Sequence, residues 1–344
     1  MKKLLSLLKY ILLLGVSALL MWYALKELDF QKMWDELKNT NYSWIGLSLM
    51  MGVAAYVSRA YRWQMQIKPT GHNPSLLRTY RAMMIGYLAN LVLPRMGEVV
   101  RCTLLKRSDN VPVNTGFGTV IAERFIDMVM LLAAIGLTFL VEFNRIRDFF
   151  LNLFSDKYTG LEQTMNSLYW VFWVMLGAAV VMLFIILKYL SRLRQNTYFQ
   201  KAVSFVKGML QGVFSITKLD NQPAFWGHTI FVWLMYYAMS TVVFFAIPAT
   251  SELGWGAGLS VLVIGSLGMA APVQGGVGVY HLLVQATLLL YGVPKEAGMA
   301  YALLAHTSQT LLVVVMGVIS FISSMVYRPE TLAVEETRSI HELK

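Results

Sequence analysis

Long apolar runs recur along this chain, and they constrain its fold more than any other feature of the sequence. A helix needs about 20 mostly apolar residues to cross the hydrocarbon core of a bilayer. Six segments meet this requirement, at about 4–25, 42–62, 114–141, 168–190, 223–248 and 297–327. The composition agrees, because 57% of the 344 residues are hydrophobic and 14% are charged. The sequence therefore predicts an all-α polytopic membrane protein with about six full spans.

Two further apolar segments, at 76–105 and 256–293, are interrupted. The first is broken at Pro94 and Gly97, and the second is broken at Pro272 and at the glycines that follow it. Non-helical backbone at membrane depth is tolerated only where protein or a water-filled cavity satisfies its polar groups. We therefore interpret both segments as re-entrant helical hairpins. An ordinary eight-span bundle with two proline kinks is the alternative.

The distribution of basic residues predicts the orientation of the chain. Cytoplasmic loops of membrane proteins carry an excess of Lys and Arg. On this rule both termini are cytoplasmic, and the segments 26–41 and 142–166 are external. Five basic residues return the chain to the cytoplasmic side after the second span: Arg59, Arg62, Lys68, Arg78 and Arg81. The two hairpins then enter from opposite faces. Such mirrored interruptions are typical of an inverted repeat with a binding site between the two breaks.

The net charge of +10 also has a membrane explanation, because the Lys and Arg residues lie between apolar runs rather than on a polar domain. We expect anionic lipid, and not nucleic acid, as the partner. The segment 190–221 is typical of an amphipathic helix on the cytoplasmic leaflet. Residues 1–328 are predicted to form a single transmembrane domain, and 329–344 a short cytoplasmic tail.

Motifs of soluble enzymes are missing from the sequence. It contains no P-loop, no G-x-S-x-G, no H-E-x-x-H and no G-x-G-x-x-G after a strand. A single cysteine, Cys102, excludes an internal disulfide and a multi-cysteine metal site. We therefore expect no catalytic residue, no cofactor and no metal, and we do not expect an enzyme. The first apolar run is too long for a signal peptide and lacks an A-x-A site, which indicates an uncleaved span.

Charged residues lie beside the first break, in 93-LPRMGEVVRCTLLKR-107. Charges within a membrane persist where they are paired or face a polar cavity. A helix that starts near Gly97 would direct its N-terminal amides at an anion, and the guanidinium groups of Arg95 and Arg101 suit a phosphate. Glu98 lies three residues before Arg101 and can pair with it when the site is empty. The alternative is a salt bridge at the cytoplasmic interface.

A second charged cluster lies in the third span, in 122-AERFIDMVMLL-132. Glu123 and Asp127 share a helix face, and Arg124 can reach Asp127 at the i,i+3 spacing. Ionisable groups in a spanning helix indicate a functional site by default. A structural ion-pair network is the alternative. In either case we expect the two clusters to meet, in a polar cavity beside the glycine break.

Three motifs in fixed order resemble a known family. They are N-x3-P-R-x-G-E-x-x-R from Asn90, A-E-R-x-x-D from Ala122 and P-x-Q-G-G-x-G from Pro272, followed by a long last span. Together they resemble the lysylphosphatidylglycerol synthase/flippase transmembrane-region family, over about residues 5 to 327. The resemblance implies that the charged and glycine residues of these motifs contact the substrate: Arg95, Glu98, Arg101, Glu123, Arg124, Asp127, Gly275, Gly276 and Gly278. We expect Gln274 and His281, within and just after the glycine break, to contact it as well.

For function, the resemblance implies a lipid flippase or transporter in the bacterial inner membrane, which moves a phosphate-headgroup lipid between leaflets. The expected partner is an anionic phospholipid or a polyprenyl-phosphate lipid. The sequence leaves undecided whether the chain forms a homo-oligomer. Two alternatives are a membrane-embedded transferase acting on a lipid-linked substrate and a non-transporting lipid-binding partner subunit.

The chain departs from the family pattern in two respects. The synthases append a soluble domain that uses aminoacyl-tRNA, whereas this sequence stops at Lys344, so we do not expect it to make lysylphosphatidylglycerol. His281 stands where an acidic residue is expected after the glycines. An imidazole binds and releases a proton more readily, so the headgroup or a coupling ion is expected to differ. The alternative for His281, as for His228 and His306, is a plain hydrogen-bonding role in the bundle.

Overall fold

In a computed structural model of the chain, the structure describes residues 15–92, 96–143, 145, 219–271 and 273–326. Three predictions therefore lie outside the described residues: the fourth span at 168–190, almost all of the amphipathic segment 190–221, and the tail at 329–344. The chain divides into two compact units, one formed by 1–138 with 215–344 and the other by 139–214. The helices described below belong to the first unit. One of them, Val113–Val141, crosses the boundary, and its last three residues belong to the second unit.

Within the described ranges the chain forms α-helices and short 3-10 turns, and no strand. The helices are α1 (Gly15–Leu25), α2 (Phe30–Lys38), α3 (Tyr42–Ile67), α4 (Leu76–Val92), α5 (Gly97–Asp109), α6 (Val113–Val141), α7 (Gln222–Val242), α8 (Trp255–Ala270), α9 (Val279–Leu290) and α10 (Lys295–Val326).

The long apolar helices confirm the all-α membrane fold. Three helical segments of the described chain are long and apolar enough to cross a membrane, and they coincide with predicted spans: Val113–Val141, Gln222–Ala246 and Lys295–Met325. Polar side chains fix where helices begin. Asn221 accepts a hydrogen bond from the amide of Ala224 at the start of α7, and Asn41 accepts one from the amide of Ser43 at the start of α3.

Helix α3 is longer than the span that the sequence predicts. It continues to Ile67 rather than ending near residue 62, so Arg59 and Arg62 lie inside the helix. Both side chains are buried. Each has a carboxylate partner on α6 that holds it within the protein. The membrane side on which this end of α3 lies stays a prediction.

An antiparallel pair, α3 with α7, forms the scaffold of the described unit. The amide of Asn41 donates to the carbonyl of Ala246 at 2.8 Å, which joins the start of α3 to the end of α7. At the other end of α3, the hydroxyl of Ser58 lies 2.8 Å from Nδ1 of His228 near the start of α7. The two helices therefore run in opposite directions along their whole length.

Each scaffold helix is followed by a short helical hairpin. Helices α4 and α5 have 17 and 13 residues, and α8 and α9 have 16 and 12. At about 1.5 Å per residue, none of them reaches the roughly 30 Å of a bilayer core. Glycines allow close packing within each hairpin: a Cβ atom on Gly97 would overlap the carbonyl oxygen of Gly86, and one on Gly268 would lie 2.9 Å from Cα of Tyr280.

The two hairpins enter the bundle from opposite ends, because α4 follows the end of α3, α8 follows the end of α7, and α3 and α7 are antiparallel. Their tips meet. The side-chain amide of Gln274 donates to the carbonyl oxygens of Leu91 at 2.5 Å and Val92 at 3.0 Å. The order of long helix, hairpin and long helix is the same in α3–α6 and α7–α10, which agrees with the predicted inverted repeat. The depth of the hairpins in a bilayer stays a prediction.

Candidate functional site

Helix α6 places two carboxylates one turn apart against α3 and α5. Glu123 is the more enclosed, with a side chain that is 0% exposed, whereas the side chain of Asp127 is 20% exposed. Positions four apart lie on one helix face, so both carboxylates point in the same direction. A buried carboxylate requires compensating partners, and the neighbouring helices supply them.

Glu123 contacts arginines from two helices. Nη2 of Arg59 on α3 hydrogen-bonds to its Oε1 atom, and Nη2 of Arg62 lies 3.5 Å from the same oxygen. From α5, Nη1 of Arg101 lies 3.0 Å from Oε2 of Glu123. One carboxylate therefore joins three guanidinium groups on two different helices.

Asp127 completes the arrangement on the α3 side. Its Oδ1 atom lies 2.8 Å from Nη2 of Arg62, and its Oδ2 atom lies 3.2 Å from Nη2 of Arg59. We define the central cluster as Arg59, Arg62, Arg101, Glu123 and Asp127. It contains three cationic and two anionic side chains and so carries one uncompensated positive charge.

Arg101 has N–H donors that meet no acceptor in the part of the protein that the structure describes. Its side chain is 2% exposed, and its Cζ atom lies 4.6 Å from the ring centroid of Trp63, which orients the guanidinium plane. Although Nη1 is close to Glu123, the geometry is not that of a hydrogen bond, and Nε, Nη1 and Nη2 have no hydrogen-bond acceptor among the described residues. Nε and Nη1 of Arg62 are also without one. These buried N–H groups suit an anion.

A second ion pair joins α5 to α6, and it corrects two predicted pairings. Glu98 pairs with Arg124 at 3.2 Å, and not with Arg101. Arg124 therefore does not pair with Asp127, which the arginines of α3 already hold. Pairing between helices wins over pairing along one helix because a local i,i+3 pair contributes only about 0.2–0.5 kcal/mol. The predicted meeting of the two charged motifs is confirmed.

The start of α5 is partly as predicted. The helix begins at Gly97, but its first amide donates to Oδ1 of Asn90 at 2.7 Å and is therefore occupied. Arg95 lies outside the described residues, as does Pro94. The buried guanidinium donors of the central cluster, rather than this first amide, are therefore the groups that lack an acceptor among the described residues.

The glycine break adopts a conformation that requires glycine. Gly275, Gly276 and Gly278 have φ values of 60°, 70° and 86°, in the left-handed region that other residues rarely adopt. The break contacts the end of α4 through Gln274 and does not contact the central cluster directly. The two are nevertheless near each other, because Tyr87 lies one turn before Leu91 on α4, and its ring centroid is 5.6 Å from Cζ of Arg59.

Both histidines near the break make backbone hydrogen bonds. Nδ1 of His281 accepts from the amide of Gly278 at 3.3 Å, at the start of α9, and Nε2 of His306 lies 2.7 Å from the carbonyl oxygen of Gly275. Their ring centroids are 4.9 Å apart. Both side chains are buried. The contacts agree with the hydrogen-bonding alternative for these two residues; a role of His281 in substrate binding stays a prediction.

The central cluster includes residues that sequence reasoning missed. Arg59 and Arg62 were predicted to mark a membrane boundary, while Trp63 and Tyr87 were not singled out. The available signal was two arginines three apart at the end of an apolar run, in 58-SRAYRWQM-65, inside a helical segment. Intramembrane charges of this kind indicate a partner elsewhere in the bundle.

Comparison with known proteins gives a family match and two relatives. The family described as "Lysylphosphatidylglycerol synthase TM region" matches residues 10–317. A UPF0104 membrane protein of Methanocaldococcus jannaschii is 26% identical over 127 residues, which is 36% of this chain and 38% of that protein. Glycosyltransferase AglD of Haloferax volcanii is 23% identical over 325 residues, which is 87% of this chain and 51% of that protein. The chain thus spans about half or less of these relatives. No solved structure matches.

Proposed function

Because the chain belongs to the lysylphosphatidylglycerol synthase transmembrane-region family, we propose that it moves a lipid with a phosphate headgroup between the two leaflets of the cytoplasmic membrane. The observation that carries this proposal is the central cluster. It holds an excess positive charge and N–H donors on Arg101 that have no acceptor within the described part of the chain. Buried arginines of this kind recognise phosphate through paired N–H bonds.

The hydrocarbon part of the lipid stays outside the protein. Helices α6 and α10 expose large apolar side chains along their length, among them Leu132, Leu311, Val315 and Ile322. Such side chains are compatible with surrounding acyl or isoprenoid chains. The protein therefore has to carry only the headgroup across the bilayer.

The paired hairpins provide the route for the headgroup. They enter from opposite ends of the α3–α7 scaffold, and their tips meet where Gln274 bonds to the end of α4. In transporters with inverted repeats, the binding site lies between such elements, and rocking of one repeat against the other exposes it to alternate sides. The headgroup would enter beside α5 and leave beside α9, with both termini of the chain on the cytoplasmic side.

Translocation is tested by reconstituting the purified protein into liposomes with a headgroup-labelled fluorescent phosphatidylglycerol. Accessibility of the label to an impermeant quencher measures movement between leaflets. We expect Arg101→Gln to slow this movement at least about tenfold, equivalent to ~1.4 kcal/mol in the barrier. Arg78→Gln is the matched control, because Arg78 is half-exposed and pairs with Asp109 at 2.8 Å, outside the central cluster. Equal rates for the two variants would contradict the assignment of the cluster.

A membrane-embedded transferase is the second candidate, since one relative that is similar over 87% of this chain is named a glycosyltransferase. The same liposomes separate the two functions. A flippase changes the leaflet distribution and leaves the lipid chemically unchanged, whereas a transferase changes the mass of the lipid when it is given a lipid-linked donor. A mass change without any movement between leaflets would replace the proposal.

A further inference from the structure

The charge of the central cluster limits which phosphate it can take. Arg59, Arg62 and Arg101 are opposed by Glu123 and Asp127, and the neighbouring pair of Arg124 and Glu98 is neutral; these lists cover only the described residues. The groups lie within or beside apolar helices, where solvent screens a charge poorly. The central cluster should bind most tightly an anion with one negative charge, which balances its one uncompensated positive charge. A second negative charge on the anion would be buried without a cationic partner.

The geometry of the donors agrees with this count. Arg101 is held over Trp63 and has N–H groups on Nε, Nη1 and Nη2 without acceptors among the described residues. A guanidinium group binds two oxygens of a phosphate through parallel N–H bonds. A phosphodiester offers two terminal oxygens that share one negative charge. A phosphomonoester offers three oxygens with a charge of about −1.5 to −2 at neutral pH.

We propose that the central cluster selects lipids whose phosphate is a diester with a single negative charge, and that Glu123 and Asp127 set this preference. The carboxylates do not contact the ligand in this scheme: they fix how much positive charge remains for it. The proposal deepens the proposed function, since it rests on the same site. Glycerophospholipids such as phosphatidylglycerol and polyprenyl-phosphate sugars share this chemistry, whereas phosphatidic acid and free polyprenyl phosphate are monoesters.

The test compares phosphatidylglycerol with phosphatidic acid of the same acyl chains, bound to the full chain in detergent and measured by native mass spectrometry. The pH is held at about 8, well above the second pKa of a phosphomonoester near 6. We expect the wild-type protein to bind phosphatidylglycerol several-fold more tightly. Glu123→Gln and Asp127→Asn each raise the excess charge from one to two, so we expect both to shift the preference towards phosphatidic acid.

Two further variants make the comparison specific. Arg101→Gln lowers the excess charge to zero and should abolish binding of both lipids above background. Glu27→Gln makes the same change in net charge as Glu123→Gln but on a side chain that is 70% exposed, pairs with Lys26 and lies outside the central cluster, so the wild-type preference should persist. Asp127→Asn keeps the test decisive if Glu123→Gln does not fold, because Asp127 is less buried.

Equal affinities of the wild-type protein for the two lipids would overturn the proposal. The same holds if Glu123→Gln and Asp127→Asn raise the affinity for both lipids by the same factor. Competition between phosphatidylglycerol and a polyprenyl-phosphate sugar at equal concentrations identifies the source: the lipid that keeps the larger share of the protein is the preferred ligand, and a sugar lipid that does not compete at all would also overturn the proposal. The outcome is separate from translocation. If the protein prefers phosphatidylglycerol but does not move it between leaflets, the charge rule holds and the proposed flippase activity is wrong. If the protein moves the lipid but binds both lipids equally, the flippase activity holds and the charge rule is wrong.

Discussion

Replacing Glu123 by Gln should be the most destabilising single change of charge in the described part of the chain. The carboxylate is 0% exposed and contacts three guanidinium groups, so its neutralisation leaves Arg59, Arg62 and Arg101 opposed only by Asp127. Removing one partner of a buried ion pair typically costs about 3–5 kcal/mol, mainly because charge is left uncompensated. At about 2 °C per kcal/mol for a large domain, the midpoint of thermal unfolding should fall by roughly 6–10 °C.

The single cysteine of the chain supplies the assay. Cys102 is buried, 1% exposed, and it lies on α5 next to Arg101. A dye that becomes fluorescent on reaction with a thiol therefore reports opening of this part of the molecule and of no other. The measurement is a thermal ramp on purified protein in detergent. Glu27→Gln serves as the control, because its exposed pair with Lys26 is worth at most about 1 kcal/mol.

A double variant tests the pairing directly. Arg101→Gln combined with Glu123→Gln removes a cation and an anion together, so the loss should be smaller than the sum of the two single losses by about 0.5–3 kcal/mol. Additive losses would mean that the contact between these side chains carries no energy. A midpoint within 2 °C of the wild-type protein for Glu123→Gln alone would refute the view that the cluster is held together by its charges.

Two further predictions concern the hairpin and the topology. Gly97→Ala should destabilise the protein by ~1–3 kcal/mol in the same thermal assay, since its Cβ would overlap the carbonyl oxygen of Gly86. Gly118→Ala meets open space inside α6 and should stabilise the protein by up to about 1 kcal/mol, because alanine favours a helix. Equal effects of the two changes would contradict the close contact at Gly97. Cysteines introduced at Asn41 and Asn73, on either side of α3, should react with an impermeant reagent from opposite faces of the membrane. Labelling from one face only would show that α3 does not span.

The membrane fold was predictable because its signals are local. The length of an apolar run and the position of a proline or glycine can be read without knowing what packs against them, which is why the spans at 114–141, 223–248 and 297–327 and both interrupted segments correspond to helices and hairpins in the structure. The entry of the two hairpins from opposite ends was predictable as well. Each membrane span moves the chain to the other side, so the number of spans before a hairpin determines the side from which it enters.

The ion pairs were not predictable in the same way. Which carboxylate an arginine reaches depends on the rotation of each helix about its own axis, and the sequence contains no measure of that rotation. The expected pairs, Glu98 with Arg101 and Arg124 with Asp127, are local, whereas the structure forms pairs across helices. Arg59 was missed for a different reason: an excess of arginine marks both a cytoplasmic boundary and a buried network, and hydropathy alone does not separate them.

Helix α4 connects the central cluster to the meeting point of the hairpins. Within five residues, Tyr87 lies against Arg59, Asn90 accepts from the first amide of α5, and Leu91 accepts from Gln274. Access to the buried donors requires that something move.

The packing indicates which contact yields first. The backbones of α4 and α5 meet at glycines with no side chain between them that could deform, so the first hairpin moves as one body. The charged contacts to α6 cost several kcal/mol to separate. Each of the two hydrogen bonds from Gln274 contributes only about 0.5–1.5 kcal/mol. The hydrogen bonds at the tips of the hairpins are therefore weaker than the charged contacts to α6, and we expect opening to begin at the tips.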